Sequence, residues 1–495
     1  MNRLQAVDLV RMLAAICLVF GFLMPPKILA ATLQLPGIFG DNMVFQQMQP
    51  LPVWGWSSPG TKVTVRFGSQ TKNAVADADG RWEVDLRRLQ ACREPQQMVI
   101  DAGETLTFTN ILIGEVWLCS GQSTMEKPVG RQPGQKPCTH SEQELAAAEY
   151  PQIRLFKVEK DLSATPKNQL KKFSGWVACN SNALNALSFS AAGYFFGREI
   201  HTNLNVPVGL IEASWGGTRI EPWTPADTLA APALPPPAPV AALGTNKLAN
   251  TAPAAIYNAM IAPLLHFTIR GALWYQGESN CMGREGENYT DQMAALVGGW
   301  RRNWGQGNFP FYYVQIAPFK YFGGKIVRVA GAGALPEFWE QQARAQSIPN
   351  TGMVVTTDLV NDLDDIHPCD KVDVGRRLAR IALAKAYGHR DIVCFGPTFK
   401  HLRIRGRQAV LTFDNPGGGL VCRGGQSLTW FTIAGDDGKF VPAEAVIQGD
   451  TVMVSAASVD KPAAVRFAWD EAAQPNFFNQ AGLPAVPFRT DSPAR

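Results

Sequence analysis

The chain has 495 residues, which predicts about two to four domains at roughly 100–200 residues per domain. Only 18% of its residues are charged, the formal net charge is +4, and no polybasic run occurs, so nucleic acid is not an expected partner. Its 45 Gly, 35 Pro and 13 Trp, with 46% hydrophobic residues, exclude a coiled coil and a disordered chain. Any histidine-based chemistry must use one of six histidines.

Residues 1–31 are typical of a secretory signal peptide. Arg3 and Arg11 accompany an apolar stretch that ends in the small residues Ala30 and Ala31. We therefore expect export to the periplasm or the cell exterior, with no integral membrane domain after cleavage; an uncleaved anchor is the alternative. Eight cysteines would remain, and their spacing does not determine any disulfide pairing.

Residues 32–110 predict an N-terminal β-sandwich module. Short Val- and Trp-containing runs at Leu51–Trp56, Lys62–Phe67 and Trp82–Leu86 alternate with turn signals. The pattern changes at Ile111, where a nearly continuous apolar run to Cys119 is typical of a buried parallel strand.

Residues 111–394 predict a catalytic α/β domain. Further strands are predicted at Val206–Ser214, Ile269–Tyr275, Phe311–Ile316 and Met353–Thr357, and helices at Ser188–Ile200 and Val374–Tyr387. Strands that alternate with helices indicate a parallel sheet with helices on both faces, which binds ligands beyond the carboxyl ends of its strands. A Pro-rich insertion, residues 230–242, interrupts this pattern.

Residues 395–495 predict a C-terminal β-rich module. Alternating apolar and polar residues return in a last set of predicted strands, at Lys400–Arg405, Gln408–Phe413, Thr451–Ser455 and Ala463–Trp469.

Ser123 is the first candidate for chemistry, because it follows the predicted strand that ends at Cys119. Gly121 allows a tight turn that could lift the serine out of the sheet. The nucleophile elbow of α/β-hydrolases has a second glycine where this chain has Met125, which argues against that elbow. A helix N-cap or turn serine is the alternative.

His367 is the candidate base. Asp364 precedes it by three residues, and a carboxylate on the inner ring nitrogen would leave the outer nitrogen free to deprotonate a serine. Asp358, Asp362 and Asp365 are the other acids that the pattern allows. Solvated or helix-capping aspartates are the alternative, and so is a metal site, although the segment lacks the ordered Gly and Asn repeat of exported calcium loops.

Two further turns predict oxyanion or substrate contacts. Arg219 and Gly217 follow the strand that ends at Ser214, and a second group follows the strand that ends at Tyr275; its members are Gln276, Gly277 and Asn280. Glycine amides and Gln or Asn side chains at strand ends can donate to a developing oxyanion. All the candidate turns are predicted to leave one end of one sheet.

Four ordered motifs carry a family resemblance, namely Gly114–Ser123, Trp215–Thr218, Trp274–Asn280 and Asp365–Pro368. The chain resembles the sialate O-acetylesterase family, which belongs to the SGNH (GDSL-like) serine esterases. The resemblance implies a flavodoxin-like SGNH core between β modules, with Ser123 as the nucleophile and His367 as the base. Relatives usually have Asn and Trp where this chain has Thr124 and Lys127, and the missing amide could weaken an oxyanion or substrate contact.

The predicted function is therefore removal of O-acetyl groups from sugar hydroxyls through an acetyl-serine intermediate, without a metal or organic cofactor. Arg219 could pair with the carboxylate of an O-acetylated sialic acid. An acetylated polysaccharide such as xylan is the alternative substrate. Two other classes stay open: a noncatalytic carbohydrate-binding protein, and a glycosidase that uses Glu278 with a second acid such as Glu340.

Overall fold

The computed structural model describes residues 33–229, 248–283, 286–322, 331, 333–425 and 427–491. The predicted signal peptide, residues 1–31, and the Pro-rich insertion, residues 230–242, lie outside these ranges. Within the ranges, no helix has both the length and the apolar character that crossing a membrane requires.

The N-terminal part is built from β-strands, and burial alternates along two of them, Lys62–Phe67 and Arg81–Leu86. Its strands are β1 (Val44–Gln46), β2 (Leu51–Trp56), β3 (Lys62–Phe67), β4 (Gln70–Val75), β5 (Arg81–Leu86), β6 (Cys92–Asp101) and β7 (Thr105–Gly121). In β5 the side chains of Trp82, Val84 and Leu86 are buried and the residues between them are exposed, as a half-buried strand requires. The three strands predicted here are confirmed.

Strand β7 belongs to both the N-terminal part and the core. Its first half pairs antiparallel with β6, and its second half is flanked by parallel strands on both sides. The predicted boundary between residues 110 and 111 falls inside this 17-residue strand. The division into modules at that point stays a prediction.

The core is a large mixed sheet that confirms the predicted parallel strands. Its further strands are β8 (Glu149–Val158), β9 (Phe173–Asn180), β10 (Val208–Ser214), β11 (Gly271–Tyr275), β12 (Phe311–Val314) and β13 (Thr351–Val354). The strand order is β13-β12-β11-β7-β10-β8-β9, and every neighbouring pair is parallel except β8 with β9.

The α-helices are α1 (Ser123–Glu126), α2 (Ser141–Ala146), α3 (Ser181–Ala186), α4 (Ala191–Leu204), α5 (Ala226–Leu229), α6 (Glu278–Met282), α7 (Tyr289–Trp304), α8 (Ala334–Arg344) and α9 (Lys371–Lys385). Short 3₁₀ or π turns lie at Glu221–Trp223, Tyr257–Ile261, Ala262–Leu264, Gly286–Asn288 and Ala345–Ser347. Both predicted helices are confirmed, as α4 and α9.

Strand β7 shows why its sequence is a continuous apolar run. Trp117 and Cys119 pack into the core that includes α4 and α9, whereas Val116 and Leu118 pack into the core that includes α7 and α8. All four side chains are buried. A strand that has helices on both faces leaves no face for polar residues.

The C-terminal part consists of small antiparallel sheets with their own core, which confirms the predicted β-rich end. Its strands are β14 (Thr398–Arg405), β15 (Gln408–Asp414), β16 (Leu420–Cys422), β17 (Phe431–Ala434), β18 (Val441–Pro442), β19 (Glu444–Gln448), β20 (Thr451–Ser455), β21 (Ala464–Phe467), β22 (Phe477–Asn479) and β23 (Phe488–Arg489). Arg489 Nη2 lies 2.8 Å from Glu340 Oε2 of α8, so an ion pair joins this part to the core. Within the described ranges, seven cysteines are free thiols, namely Cys92, Cys119, Cys138, Cys179, Cys281, Cys369 and Cys394.

Candidate active site

The candidate turns leave the same end of the core sheet, as predicted. Gly121 at the end of β7 is in register with Ser214 at the end of β10 and with Tyr275 at the end of β11. The segment 355–370, which carries His367, follows β13 at the same edge because all these strands are parallel. A ligand beyond this edge would meet residues from several turns at once.

Ser123 is the first residue of α1 and lies two residues after β7 ends. Gly121 has a φ of +141°, and a Cβ atom built on it would lie 2.2 Å from the carbonyl oxygen of Tyr275. Only glycine therefore fits this close approach of two strands. The Ser123 side chain is half-buried at the edge, while its neighbours Gln122 and Thr124 are buried.

The backbone after β10 packs directly against the serine. A Cβ atom at Gly216 would lie 3.2 Å from Ser123 Cβ, and the Gly216 amide donates to Glu126 Oε2 at 2.7 Å. Gly217, which is exposed, has a left-handed φ of +74°. No hydrogen bond within the described ranges uses the Gly217 amide.

A buried amide network joins the turns after β7 and β11. Gln122 Oε1 accepts from the Gly277 amide at 3.3 Å, from the Ser279 amide at 3.3 Å and from Gln276 Nε2 at 3.1 Å. Gln276 Nε2 also donates to the Thr218 carbonyl and to Asn280 Oδ1, at 3.2 and 2.7 Å. The Gln276 side chain therefore links the turns that follow β7, β10 and β11.

Asn280 extends this network to the turn after β10. Its Oδ1 accepts from the Ile220 amide at 3.0 Å, and its Nδ2 donates to Glu221 Oε2 at 3.3 Å and to Gln292 Oε1 at 3.4 Å. The side chain is fully buried. The side-chain amides of Gln276 and Asn280 are thus hydrogen-bonded within the protein, and Gly277 takes part in the network through its backbone amide.

Arg219 is already engaged in an ion pair. Its Nη2 lies 3.0 Å from Glu221 Oε1, and its side chain is 26% exposed. The same Glu221 carboxylate accepts from Asn280, so this guanidinium belongs to the turn network as well as to the rim of the site.

His367 has one aspartate beside its ring. His367 Nδ1 lies 3.8 Å from Asp365 Oδ1, and the same oxygen accepts the His367 backbone amide at 2.9 Å. The imidazole is half-buried. Asp365 is therefore the carboxylate that this loop brings to the inner ring nitrogen.

The other three candidate aspartates contact cations. Asp364 Oδ1 lies 3.6 Å from Lys320 Nζ, and Asp362 Oδ2 lies 2.7 Å from Lys136 Nζ. The Asp358 side chain, which is 8% exposed, accepts hydrogen bonds from Arg377 Nη1 and Nη2, both at 2.7 Å. Asp364 has the Asp-x-x-His spacing, but Asp365 is the aspartate that lies beside the imidazole.

The surroundings of His367 favour a neutral imidazole. Burial, together with the ammonium groups of Lys371 and Lys127, lowers the pKa of His367 to about 4, against the opposing effects of Asp365 and Glu126. A neutral imidazole is the form that can accept a proton from a serine hydroxyl.

The loop that carries His367 packs against the segment that follows Ser123. The Thr139 amide donates to the Cys369 carbonyl at 3.0 Å, and the Lys136–Asp362 ion pair joins the same two segments. Glu126, three residues after Ser123, acts electrostatically on the imidazole. In the described part of the chain, no group of three or more His, Cys, Asp or Glu side chains could hold a metal ion.

Three contributors were not among the predicted site residues, namely Gln122, Gly216 and Lys371. Gln122 and Gly216 lie within the recognised motifs, so a polar residue beside the serine and a paired glycine were available signals. Lys371 carried no such signal, because a lysine at the start of an amphipathic helix is typical of a solvated position.

Comparison with known proteins identifies the family of the chain. A family described as "Carbohydrate esterase, sialic acid-specific acetylesterase" matches residues 113–384. The chain is 30% identical over 411 residues to the sialate O-acetylesterase of Homo sapiens, covering 75% of this chain and 74% of the human protein. It is 29% identical over 433 residues to that of Mus musculus, with coverages of 76% and 78%.

A solved structure extends the likeness to nearly the whole chain. The crystal structure of a carbohydrate acetylesterase from Xanthomonas citri is 38% identical, with a TM-score of 0.83, and the match covers 93% of this chain and 100% of that one. These matches confirm the resemblance that the four motifs predicted. The chain belongs to the carbohydrate esterase family of sialic acid-specific acetylesterases and is a carboxylic ester hydrolase.

Proposed function

We propose that this enzyme removes O-acetyl groups from sugar hydroxyls, with Ser123 as the nucleophile and His367 as the general base. The observation that carries the proposal is the placement of Ser123: it is half-exposed at the carboxyl edge of a parallel sheet, with the Gly216 backbone against its Cβ. The names of the relatives support the acetyl group as the acyl group that is transferred.

The proposed core is of the flavodoxin-like SGNH type. When β8 and β9 are counted as additional edge strands, the order β10-β7-β11-β12-β13 corresponds to 2-1-3-4-5, the flavodoxin-like order. In that order ligands bind where the strand sequence reverses, beside the first strand, and Ser123 follows that strand. We also propose that the chain has three parts, residues 32–110, 111–394 and 395–495, and that the first two share β7.

The proposed reaction has two halves. Ser123 Oγ attacks the acetyl carbonyl carbon while the outer nitrogen of His367 takes the hydroxyl proton; collapse of the tetrahedral intermediate expels the sugar oxygen, which receives that proton. Water, deprotonated by His367, then attacks the acetyl-serine carbonyl carbon. Collapse of the second tetrahedral intermediate breaks the bond to Ser123 Oγ, which takes the proton back from His367, and acetate leaves. Neither half requires a redox group.

Asp365 is the proposed orienting acid, in place of Asp364. Its carboxylate lies beside His367 Nδ1, whereas Asp364 lies beside Lys320. A carboxylate on Nδ1 selects the tautomer that leaves the outer nitrogen unprotonated and stabilises the imidazolium that forms during attack.

The Gly216–Gly217 turn is the proposed source of an oxyanion donor. The Gly216 amide already binds Glu126, which leaves the Gly217 amide as the donor of this turn. We assign Gln276 and Asn280 a positioning role, because their amide groups hold the turns after β7, β10 and β11 in one arrangement.

O-acetylated sialic acid is the proposed substrate on the strength of the relatives, with acetylated neutral glycans as the second candidate. The Arg219–Glu221 pair favours the second, because a substrate carboxylate would compete with Glu221 for the guanidinium. Acetate release from O-acetylated sialic acid and from acetylated xylan, measured side by side, separates the two.

Export is proposed from the sequence of residues 1–31, as is cleavage near Ala31. The mass and N-terminal sequence of the protein recovered from the periplasm or medium test this. Recovery of the uncleaved chain in the membrane fraction would contradict it.

The central test uses Ser123→Ala with an aryl acetate. We expect kcat to fall by at least about a thousandfold while the circular dichroism spectrum and Tm stay unchanged. A fluorophosphonate should label Ser123 in the wild type, as read by peptide mass spectrometry. Substantial hydrolysis by folded Ser123→Ala, or labelling at another serine, would overturn the assignment.

A further inference from the structure

Glu126, in the short helix that Ser123 begins, binds a different group with each of its carboxylate oxygens. Its Oε2 accepts from the Gly216 amide at 2.7 Å, and its Oε1 lies 2.5 Å from Lys160 Nζ. The Glu126 side chain is only 14% exposed. Hydrogen bonds to a charged group are roughly twice as strong as neutral ones, so this carboxylate is a firm anchor. The reaction steps proposed above use neither Glu126 nor Lys160.

The peptide group between Trp215 and Gly216 is held at both of its polar atoms. Its N–H is the group that donates to Glu126, and its carbonyl oxygen accepts from Thr218 Oγ1 at 2.7 Å. The next peptide group carries the Gly217 amide, the proposed oxyanion donor, which no hydrogen bond among the described residues uses. The direction of that amide therefore depends on the peptide that precedes it.

Two successive glycines make this turn easy to reorient unless other groups hold it. Glycine adopts positive φ values about as readily as negative ones, and Gly217 has a φ of +74°. A Cβ atom on Gly216 would lie 3.0 Å from Glu126 Oε2 and 3.2 Å from Ser123 Cβ, so the backbone approaches both residues too closely for a side chain. Without the carboxylate, the peptide could rotate and carry the Gly217 amide away from the nucleophile.

Lys160 reaches this turn from the strand on the far side of β10. It lies two residues after β8, which is parallel to β10, so it leaves the same edge of the sheet as the serine turn. Its Nζ also lies 5.9 Å from the centroid of the Trp215 ring, within cation–π range. The ammonium thus contacts the first residue of the turn as well as Glu126. It also compensates a negative charge that would oppose an oxyanion formed nearby.

We propose that Glu126, compensated by Lys160, is a positioning residue for the Gly216–Gly217 turn. It holds that turn against Ser123, so that the Gly217 amide faces the oxyanion that forms when the serine attacks. Because the donor is oriented before the substrate arrives, no reorganisation is required during the reaction. The inference rests on the proposed function, since it takes Ser123 as the nucleophile and Gly217 as the oxyanion donor.

The test is steady-state kinetics of the full-length chain with an aryl acetate, at a pH well above the acidic limb. We expect Glu126→Ala to lower kcat and kcat/KM equally, by about tenfold to a hundredfold, because a donor that acts in the transition state is misplaced. Glu126→Gln, whose amide oxygen can still accept from Gly216, should retain kcat within about threefold. A merely structural role would lower Tm without these equal losses.

Lys160→Met tests the charge compensation separately. At low ionic strength it should lower kcat by about tenfold, because the uncompensated Glu126 carboxylate then opposes the oxyanion. Adding Glu126→Gln to Lys160→Met removes that charge, so kcat should recover to the value of Glu126→Gln alone. If Glu126→Ala does not fold, these two variants decide the question.

The matched control is Glu83→Ala, which removes an exposed glutamate paired with Arg81 on β5, and its kinetics should equal those of the wild type. Wild-type kcat in folded Glu126→Ala or in Lys160→Met would overturn the inference. Equal losses in Glu126→Ala and Glu126→Gln, or a loss in Lys160→Met that Glu126→Gln does not relieve, would also overturn it.

Fluorophosphonate labelling of Ser123 separates the two proposals, because the phosphonyl oxygen would use the same oxyanion donors. We expect Glu126→Ala to be labelled about tenfold more slowly than the wild type. Labelling of the wild type at Ser123 with an unchanged rate in Glu126→Ala refutes the role of Glu126 alone, whereas no labelling of the wild type refutes both proposals.

Discussion

The two sides of the candidate site are held in different ways. The serine side consists of the turns 122–126, 215–219 and 276–280, and buried amide hydrogen bonds join them. The histidine side, residues 355–370, is anchored at its start by the buried Asp358–Arg377 pair, and further along by the ion pairs of Asp362 and Asp364, which are half exposed.

Because of this difference, we expect the serine side to be rigid and the histidine side to be adjustable. Buried hydrogen bonds between short side chains fix positions closely, and their loss leaves unpaired donors in a dry region. Ion pairs that water reaches are weak and depend on salt. The proposed nucleophile, Ser123, therefore has a fixed place, whereas the proposed base, His367, lies on a loop whose outer contacts can exchange.

The largest effect is expected from breaking the serine side with Gln122→Ala. The change leaves the Gly277 and Ser279 amides without their acceptor, at about 1–3 kcal/mol each, and removes one of the three acceptors of Gln276 Nε2. We expect kcat/KM to fall by more than about a hundredfold because the turn is misplaced. Thermal unfolding and aryl acetate kinetics measure both effects. Gln448→Ala, at an exposed glutamine of β19, is the control. Wild-type kcat/KM in Gln122→Ala would contradict the rigid serine side.

On the histidine side, Asp365→Asn should lower kcat by about tenfold to a hundredfold, because an oriented base is lost while the loop keeps its length. Asp364→Asn is the matched variant, and it should change kcat less than about threefold, as expected for a surface pair. Steady-state kinetics at a fixed pH compare them. A larger loss of kcat in Asp364→Asn than in Asp365→Asn would indicate that Asp364, at the Asp-x-x-His position, is the acid that orients His367.

The pH profile sharpens the contrast further. The neutral imidazole is the active form, so the lowered pKa of His367, about 4, moves the acidic limb of kcat/KM to lower pH. At pH 5.5 an imidazole with the ordinary pKa of about 6.5 would be roughly nine-tenths protonated and activity would drop about tenfold, whereas little loss is expected here. Rates from pH 4 upward, with the fold monitored by circular dichroism, measure it. An acidic limb of kcat/KM near the ordinary imidazole pKa of about 6.5 would contradict the lowered pKa of His367.

The smallest effect is expected for Lys136→Ala, which removes the partner of Asp362. Both side chains are about half exposed, so kcat/KM should change less than about threefold, and the difference from the wild type should shrink as salt increases. Kinetics at low and high ionic strength test this. A large loss that salt does not alter would show that the outer contacts also fix the histidine.

Much of the fold could be predicted from the sequence, because the core strands are apolar runs that end in polar or glycine-containing turns. The runs ending at Cys119, Ser214 and Tyr275 correspond to β7, β10 and β11. Strands β8 and β9, the last two strands at one side of the sheet, were not predicted, because their mixed sequences lack a continuous apolar run. Helix α7 was also missed, although Met293, Leu296, Val297 and Trp300 have helical spacing and are buried.

The positions of the candidate site residues in the fold could be predicted better than their contacts. Spacing placed Ser123 and His367 at one sheet edge, since parallel strands share the direction of their ends. Spacing could not tell which aspartate faces His367, because side-chain direction in an irregular loop depends on tertiary contacts such as those of Lys320 and Lys136. For the same reason, an amide such as Asn280 could not be assigned to substrate or to scaffold.

The 17-residue strand β7 also has a consequence for protein engineering. At about 3.3 Å per residue it runs roughly 55 Å, from the hairpin with β6 to the residue before the serine turn. A truncated protein that begins at Ile111 would sever that strand and strip β6 from its side, so the esterase core and the N-terminal sheet should not be separable as interchangeable cassettes. Grafting of a different accessory module is better directed to the C-terminal end, where segment 386–397 connects α9 to β14 without a shared strand.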